Sequence, residues 1–316
     1  MTGEKTVVNT RPGKTLAYRA KKLILTNWQL WVLMLPAVVA TFIFNYVPMY
    51  GIQIAFKNYK IKKGIMGSAW VGLKYFRMFL GTPSFWVMLR NTLALSLFQL
   101  ALFPVNVIAA LMINELRSAK YKKAVQMISY APHFMSVVVI CGMIKLFFAK
   151  DNGIVNNLIA MMGGARVDYL SSGRAFRYLY VFSGIWQDLG WGTIIYLAAL
   201  SNVSQEQVEA ALIDGASRLQ IILHVNVPHI LPTAIILFVM AAGRVLTVGY
   251  EKILLLQNNL NLDCSQVFST YTYKVGLQGG EYSLSTTVDL FNCVVNIIVL
   301  TLVNLVTRRL SGVSLW

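Results

Sequence analysis

The sequence predicts an all-α membrane protein with six membrane-spanning helices. Hydrophobic residues make up 57% of its 316 residues and charged residues 13%, whereas a soluble domain carries about a quarter charged residues. Six segments are long and apolar enough to cross a bilayer, which takes about 20 residues. Every backbone polar group must be satisfied inside the membrane, so these segments are expected to be helical; the short alternating segments of a membrane β-barrel are absent. The predicted spans are 30–56, 91–114, 124–144, 178–202, 228–250 and 284–306.

The region before the first span, residues 1–28, is a basic tail, and residues 29–316 are predicted to form one transmembrane domain. The apolar segment that follows the tail is too long for a signal peptide, so we expect an uncleaved cytoplasmic tail. Pro36 and Pro48 are expected to kink or break the first span near its ends. Pro132 and His133 fall inside the third span, and a lone histidine there is more often structural than a ligand.

The loops carry most of the formal net charge of +16. No nucleic-acid-binding motif accompanies the basic residues, so anionic lipid, an acidic protein surface or an anionic substrate are the expected partners, and nucleic acid is not. Lys and Arg occur in equal numbers on the two sides, so the positive-inside rule does not decide the orientation. The cysteines Cys141, Cys264 and Cys293 lack metal-binding spacing and are expected to be small, buried apolar residues.

The longest polar-rich interruption between two apolar segments is the loop 203–232. Ser204 and Gln207 have the spacing of a capping box at the start of a helix. Val208, Ala211 and Leu212 then recur at helical spacing and predict one apolar face.

The same loop contains signals for the end of that helix. Gly215 can adopt the left-handed conformation that ends a helix. Ser217 can cap a second helical piece, and Pro228 is expected to mark a break before the fifth span.

The residue pattern of this loop resembles the EAA signature of permease subunits in binding-protein-dependent ABC importers. It keeps the Glu-Ala-Ala, the Asp-Gly-Ala and both prolines, and departs at Ile222, where an aromatic is usual, and at His229. The resemblance implies the type I importer fold, with the loop as a cytoplasmic helix that couples the permease to a separate ATPase. The residues carried over for coupling are Glu209, Ala210, Ala211, Asp214, Gly215 and Ala216.

Segments 46–59, 249–255 and 308–312 resemble permeases for complex oligosaccharides, a branch that includes alginate-type importers. The resemblance implies a second homologous permease, two ATPase subunits and an extracytoplasmic solute-binding protein as partners. It also implies a multi-pass protein of the bacterial cytoplasmic membrane with both termini inside. The chain has no phosphate-binding Gly-x-x-x-x-Gly-Lys-Ser/Thr loop, so it is expected to bind no cofactor and to leave ATP and Mg²⁺ to the partner ATPases.

Polar and aromatic residues inside the spans are candidates for the substrate path. A charge at membrane depth costs about 2.5–3.5 kcal/mol on insertion scales, so Arg244 is expected to pair with Asp188, Asp289 or Glu251, either as a helix lock or near an anionic substrate. Sugars need aromatic faces and amides, although such aromatics are more often packing or interfacial residues. The candidates are Trp186, Gln187, Asp188, Trp191, Tyr196, Arg244, Asp289, Asn292 and Asn296.

Three functions remain open from the sequence. The first is an oligosaccharide importer permease, whose basic outer loops fit an acidic substrate or, more readily, an acidic solute-binding protein. The alternative is a secondary transporter driven by an ion gradient, although the paired broken helices expected of one are not apparent. A membrane-embedded enzyme is disfavoured because the three histidines are scattered and no zinc-protease motif occurs.

Overall fold

The computed structural model describes residues 26–316. Most of the predicted basic tail, residues 1–25, lies outside the described residues. The chain divides into two compact units, which meet between Gln53 and Ile54.

The described part of the first unit is helical and follows the first predicted span. Helix α1 (Trp28–Thr41) contains Pro36 and continues as a π-helical turn (Phe42–Tyr46) and a 3-10 helix (Val47–Phe56). The changes of helix type flank Pro48, which agrees with the predicted irregularity near the end of the span. The 29 residues Trp28–Phe56 are apolar and long enough to cross a membrane.

The second unit is built almost entirely from helices. Those before residue 203 are α2 (Gly64–Gly67), α3 (Lys74–Leu80), α4 (Phe85–Ala101), α5 (Pro104–Asn114), α6 (Ala119–Tyr130), α7 (Val137–Phe147), α8 (Ile154–Met161) and α9 (Gly173–Leu200). Those after it are α10 (Gln205–Ile213), α11 (Arg218–Ile221), α12 (Val227–Ala242), α13 (Tyr250–Leu256), α14 (Leu262–Ser265), α15 (Phe268–Thr272) and α16 (Tyr282–Ser311). Shorter 3-10 turns are Ile61–Lys63 and Ala131–Phe134, and further π-helical turns are Ile222–Asn226 and Tyr273–Gln278.

Two short strands depart from the all-helical prediction. Strands β1 (Lys57–Asn58) and β2 (Ala69–Trp70) pair antiparallel, with Lys57 opposite Trp70. The Ser283 hydroxyl donates to the Lys57 carbonyl and accepts from the Tyr59 N–H at 2.9 Å. The segment that contains β1 is therefore tied to the start of α16.

The structure has four apolar helical stretches that are long enough to span a membrane within the described residues, or five if one bent pair counts as a span. The bent pair is the predicted third span, which turns by 96° between Ala119–Phe134 and Val137–Phe147. Helix α9, the predicted fourth span, has 28 residues and a length of about 42 Å, which would suffice to cross. It is not among the apolar stretches, so the count of six stays a prediction.

The fifth span differs from its predicted bounds. No break occurs at Pro228, because Arg218–Ala242 runs as one 25-residue helical stretch. A π-helical turn directly before α12 and the position of Pro228 in the first turn of that helix accommodate the missing N–H. The helix then ends at Ala242 rather than at residue 250, so Arg244 lies beyond it.

The buried core draws on a segment that the sequence presented as a polar loop. Ile253, Val267 and Phe268, which lie between α12 and α16, are completely buried. They pack into two clusters with residues of α4, α7, α9 and α16. Of the three free cysteines only Cys141 is buried, while Cys293 is exposed, contrary to expectation.

Candidate functional site

Helix α10 and the turn after it form a compact loop whose end is fixed by Gly215. The φ angle of Gly215 is +79°, as predicted for a residue that ends a helix. Its N–H donates to the Leu212 carbonyl at 3.1 Å, and the N–H of Ala216 donates to the Ala211 carbonyl at 2.9 Å. These two bonds are those of a Schellman motif, which sets the direction of the chain after the helix.

The predicted capping box at Ser204 does not form, and a capping box is found at Ser217, thirteen residues later. Ser204 starts α10, but its side chain makes no capping hydrogen bond, so the predicted pair with Gln207 is wrong. The box is instead at Ser217, as the predicted second cap: the Gln220 N–H donates to the Ser217 hydroxyl, and the Gln220 side chain accepts from the Ser217 N–H at 2.7 Å. Ser217 follows the Schellman turn directly and so finds an extended backbone, which a capping residue needs.

The predicted coupling residues present an exposed surface. Glu209, Ala210, Asp214 and Gly215 are exposed, and Glu209 makes no ion pair with any described residue. Val208 and Ala211 are half-buried, as expected for an inward face. Leu212 is 55% exposed and Ile213 87% exposed, so the predicted apolar face is only partly buried. The exposed surface of the loop therefore combines small and apolar side chains with the carboxylates of Glu209 and Asp214, neither of which is paired within the described residues.

The loop stands on a buried base. Leu111, Leu200 and Ile230, from α5, α9 and α12, form a cluster against which Val203 and Ile222 pack. A cleft of about 740 Å³ separates the coupling helix from the end of α5, and its lining residues are Asn114, Glu115, Leu116, Arg117, Leu200, Ser201, Val203, Gln205, Val208, Leu212, Arg218, Ile221 and Asn226. The buried base thus attaches the loop to α5, α9 and α12.

A second feature is a cavity of about 310 Å³ lined by amide, aromatic and charged side chains, which we call the polar cavity. Its lining residues come from α4, α7, α9 and α13 and are Gln99, Val137, Tyr180, Gly184, Gln187, Asp188, Gly249, Tyr250, Glu251 and Lys252. The Lys252 ammonium lies 5.5 Å from the centre of the Tyr180 ring. Burial lowers the pKa of Lys252, and the neighbouring Cys141 and Asp188 oppose that shift. Amides, aromatic faces and charges converge here as a sugar site requires.

Two predicted path residues, Gln187 and Asp188, line the polar cavity and also bind the bend between α6 and α7. Asp188 Oδ1 lies 2.9 Å from His133 Nδ1, and the amide of Gln187 donates to the Met135 carbonyl at 3.2 Å. The ring of Trp191 stacks on His133 at 4.5 Å with an interplanar angle of 5°. His133 is therefore structural, as expected, and holds the bent span against α9.

The remaining predicted path residues are not collected in one place. Trp186 is exposed and Tyr196 is buried. Asp289 accepts from the Thr272 hydroxyl at 3.3 Å, and the buried Asn292 Oδ1 has no hydrogen-bond partner among the described residues. The linings of the polar cavity and of the cleft beside α10 contain none of these four side chains.

The last two candidates, Asn296 and Arg244, lie at the turn after α12. The side chain of Asn296 accepts from the Leu246 N–H at 3.0 Å and donates to Thr247 at 2.8 Å, so it holds this turn. Arg244 is exposed, and the predicted ion pair is wrong: within residues 26–316 it pairs with no carboxylate. The helix ends two residues earlier, so Arg244 lies in the turn that Asn296 of α16 holds.

Sequence reasoning missed Gln99, Tyr250 and Lys252 as residues of one cavity. Gln99 was recognisable as an amide inside an apolar span, but Lys252 stands in a segment that looked like a loop. Their meeting depends on α13 packing against α7 and α9. No group of three or more His, Cys, Asp or Glu side chains that could hold a metal occurs in the described part of the chain.

Comparisons with known proteins agree with this architecture. A sequence model of the family described as "Binding-protein-dependent transport system inner membrane component" matches residues 19–312. Protein LplB of Bacillus subtilis is 40% identical over 305 residues, which cover 96% of this chain and 95% of that protein. The polygalacturonan/rhamnogalacturonan transport system permease protein YteP of the same organism is 40% identical over 281 residues, 89% of this chain and 88% of its own.

A solved structure is also similar over nearly the whole chain. A chain in the crystal structure of a bacterial alginate ABC transporter, in complex with an alginate pentasaccharide-bound periplasmic protein, has a TM-score of 0.85 and 37% sequence identity. The similarity covers 94% of this chain and 100% of that chain. The same fold therefore accommodates both sequences.

Proposed function

Because the chain belongs to the family of inner membrane components of binding-protein-dependent transport systems, we propose that it is one of two homologous permease subunits of an ATP-driven oligosaccharide importer. The membership confirms the family predicted from the sequence. This is a family of transport permeases and not of enzymes. Relatives named for polygalacturonan/rhamnogalacturonan transport and for alginate support an oligosaccharide as substrate.

The coupling role is carried by the exposed end of the loop 203–232. A coupling element must be rigid, must protrude and must be attached to the helices that move. The Schellman turn at Gly215 and the capping box at Ser217 supply rigidity, and the buried base below α10 supplies attachment. Glu209, Ala210, Ala211, Asp214, Gly215 and Ala216 form the surface that docks in a groove of the ATPase, where the free carboxylate of Glu209 meets a basic side chain.

The energy source lies in the partner subunits. The chain has no phosphate-binding loop, so ATP and Mg²⁺ are bound by two ATPase subunits, and this chain itself binds no cofactor. A solute-binding protein delivers the sugar on the opposite face. The coupling loop then faces the cytoplasm. With α9 counted as a span the total is six, an even number, so both termini are cytoplasmic.

The polar cavity is the part of the substrate path that this chain contributes. Gln99 and Gln187 offer amides to sugar hydroxyls, and Tyr180 and Tyr250 offer ring faces. Asp188 and Trp191 hold the bend between α6 and α7 at its edge, so movement of that bend would change the cavity. The path is completed by the second permease.

The test is purification of the tagged protein in mild detergent, wild type against Glu209→Arg. The exposed Glu206 in the same helix gives the matched control Glu206→Arg, which changes the charge equally. Wild type and Glu206→Arg should retain a second permease and an ATPase. Truncating one partner of a buried interfacial charge pair costs about 2–5 kcal/mol, so Glu209→Arg should lose at least nine-tenths of the bound ATPase.

Two results would contradict this function. If the wild type purifies without an ATPase and transports sugar on an ion gradient alone, the protein is a secondary transporter. If both arginine variants lose the ATPase to the same extent, general charge at the loop, and not Glu209, determines docking.

A further inference from the structure

A second cavity, which we call the arginine cavity, lies beside the first turns of α9. Its volume is about 460 Å³, and its lining residues are Ala94, Phe98, Arg174, Arg177 and Tyr178. Two of the five side chains are cations and none is an acid. The coupling loop and the polar cavity described above do not include it.

The guanidinium of Arg177 is held by neutral groups. Its Nη2 lies 3.3 Å from the Asn91 side-chain oxygen and 3.6 Å from the Cys264 sulfur. Its Nε is buried and has no hydrogen-bond partner within residues 26–316. A partly buried cation with an unsatisfied N–H and no counter-ion is costly, because neutral contacts do not offset the lost hydration of a charge. The site is therefore suited to an anion.

Arg174 supplies a second cation one turn away. It is exposed and has no ion-pair partner among the described residues. It lies in the first turn of α9, where the helix dipole adds positive potential. Arg174 can thus reach a bound anion without breaking an existing contact.

The acids nearby are engaged elsewhere. Asp168 accepts from the Ser171 N–H at 3.1 Å, and its pKa is lowered foremost by a hydrogen bond with the Ser171 side chain and then by this backbone bond. Asp263 lies against the start of α9 and accepts from the thiol of Cys264 at 3.5 Å. Burial raises the pKa of Cys264 and keeps this thiol neutral, so it does not neutralise Arg177. Neither carboxylate lines the arginine cavity, whose charged lining residues are Arg174 and Arg177.

Aromatic side chains form the other wall. The rings of Phe98 and Tyr178 meet edge to face at 5.6 Å and 89°. An aromatic face beside two guanidinium forks matches a sugar ring that carries a carboxylate, because arginine binds carboxylates through two parallel hydrogen bonds.

The arginine cavity and the polar cavity follow one another along α4 and α9. Phe98 lines the first and its neighbour Gln99 lines the second. Along α9, Arg177 and Gly184 are seven residues apart, which is about 10 Å. A chain of sugar units can therefore contact both.

We propose that the arginine cavity is a carboxylate subsite, through which this permease favours oligosaccharides of uronic acids over neutral ones. The inference rests on the proposed transport function and adds the substrate class. Arg174 and Arg177 bind the carboxylate, while Phe98 and Tyr178 contact the ring. The neutral groups of the polar cavity receive the next sugar unit.

The experiment is ATP-driven uptake by the complete complex in liposomes, with trigalacturonate and the same trisaccharide after reduction of its carboxylates to alcohols. Arg174→Gln is the main variant, since the side chain supports no described contact. Arg177→Lys is the second, since it keeps the charge but loses the fork. Lys150→Gln removes an exposed charge from the α7–α8 connection and is the matched control. Every variant uses the same solute-binding protein, so its own selectivity cancels in the comparison with wild type.

The wild type should take up trigalacturonate faster than the reduced sugar. Arg174→Gln and Arg177→Lys should lower trigalacturonate uptake about tenfold and leave uptake of the reduced sugar unchanged, whereas Lys150→Gln should change neither. An equal loss for both sugars, or no loss, would overturn the inference. A loss that appears only in liposomes with anionic lipid would also overturn it, because the cavity would then hold a lipid phosphate. Failure of the wild-type complex to transport trigalacturonate would also overturn the inference, whereas a wild type that purifies without an ATPase would refute the proposed function itself.

Discussion

Replacing Gly215 by alanine should weaken coupling without unfolding the protein. The φ angle of Gly215 is +79°, and a Cβ added there would meet no heavy atom within 4 Å. The left-handed backbone conformation is therefore the only source of strain for a side chain at position 215. The left-handed conformation costs a non-glycine residue about 1–2 kcal/mol.

The size of the effect follows from that cost. About 1 kcal/mol corresponds to roughly a fivefold change in an equilibrium constant, since 1.4 kcal/mol is tenfold. The Schellman bonds from Gly215 and Ala216, at 3.1 and 2.9 Å, would be formed about fivefold less favourably. ATP-driven uptake should then fall by up to about fivefold. The melting temperature should hardly change, because the buried base under Ile230 is untouched.

The assay is uptake per ATP hydrolysed by the reconstituted complex. Gly280→Ala is the matched control: its φ is +72° and its added Cβ also meets nothing within 4 Å, but it lies in the segment before α16. Gly215→Asn should retain most of the coupling, because asparagine tolerates the left-handed region. Wild-type coupling in Gly215→Ala, or an equal loss in Gly280→Ala, would refute the reasoning.

Three further substitutions test the packing and the path. Gly190→Ala should destabilise the protein by about 1–3 kcal/mol, measured as a lower melting temperature in detergent, because the new Cβ would lie 2.2 Å from the Ser129 carbonyl oxygen. Gly184→Leu should abolish sugar uptake while the complex still assembles and hydrolyses ATP, because the side chain would enter the polar cavity. Asn296→Leu should cost about 1–3 kcal/mol in the free energy of unfolding, since the N–H of Leu246 loses its acceptor.

Each of these substitutions has a matched control. Gly142→Ala, in α7, should not destabilise, because nothing lies within 4 Å of its added Cβ. Gly184→Ala should transport, since its Cβ would make ordinary contacts at 3.6 Å and beyond. Cys293→Ala, on an exposed part of α16, should leave the melting temperature unchanged. If a control matched its test variant, the local contact would not be the cause.

Local signals predicted local features well. Gly215 and Ser217 end and begin helices as expected, because the left-handed turn and the cap each depend on residues within one turn of the chain. The capping box predicted at Ser204 does not form, although Ser204 and Gln207 have the right spacing, because the Ser204 side chain makes no capping hydrogen bond in the folded loop. The predicted end of the fifth span was wrong for another reason. The sequence of residues 243–249 suggested that the helix continues, but Asn296 holds these residues as a turn.

The sequence by itself determined the membrane class and the family, because composition, apolar length and a contiguous motif are properties of the chain read in order; the coupling role of the loop 203–232 stays a prediction. Tertiary structure alone decided which polar groups meet. Lys252 reaches Tyr180, and Arg177 reaches Cys264, across 72 and 87 positions of sequence. Such pairs arise when helices pack, because each helix places one face against its neighbours. The spacing of residues along a single helix does not specify which neighbour that face contacts.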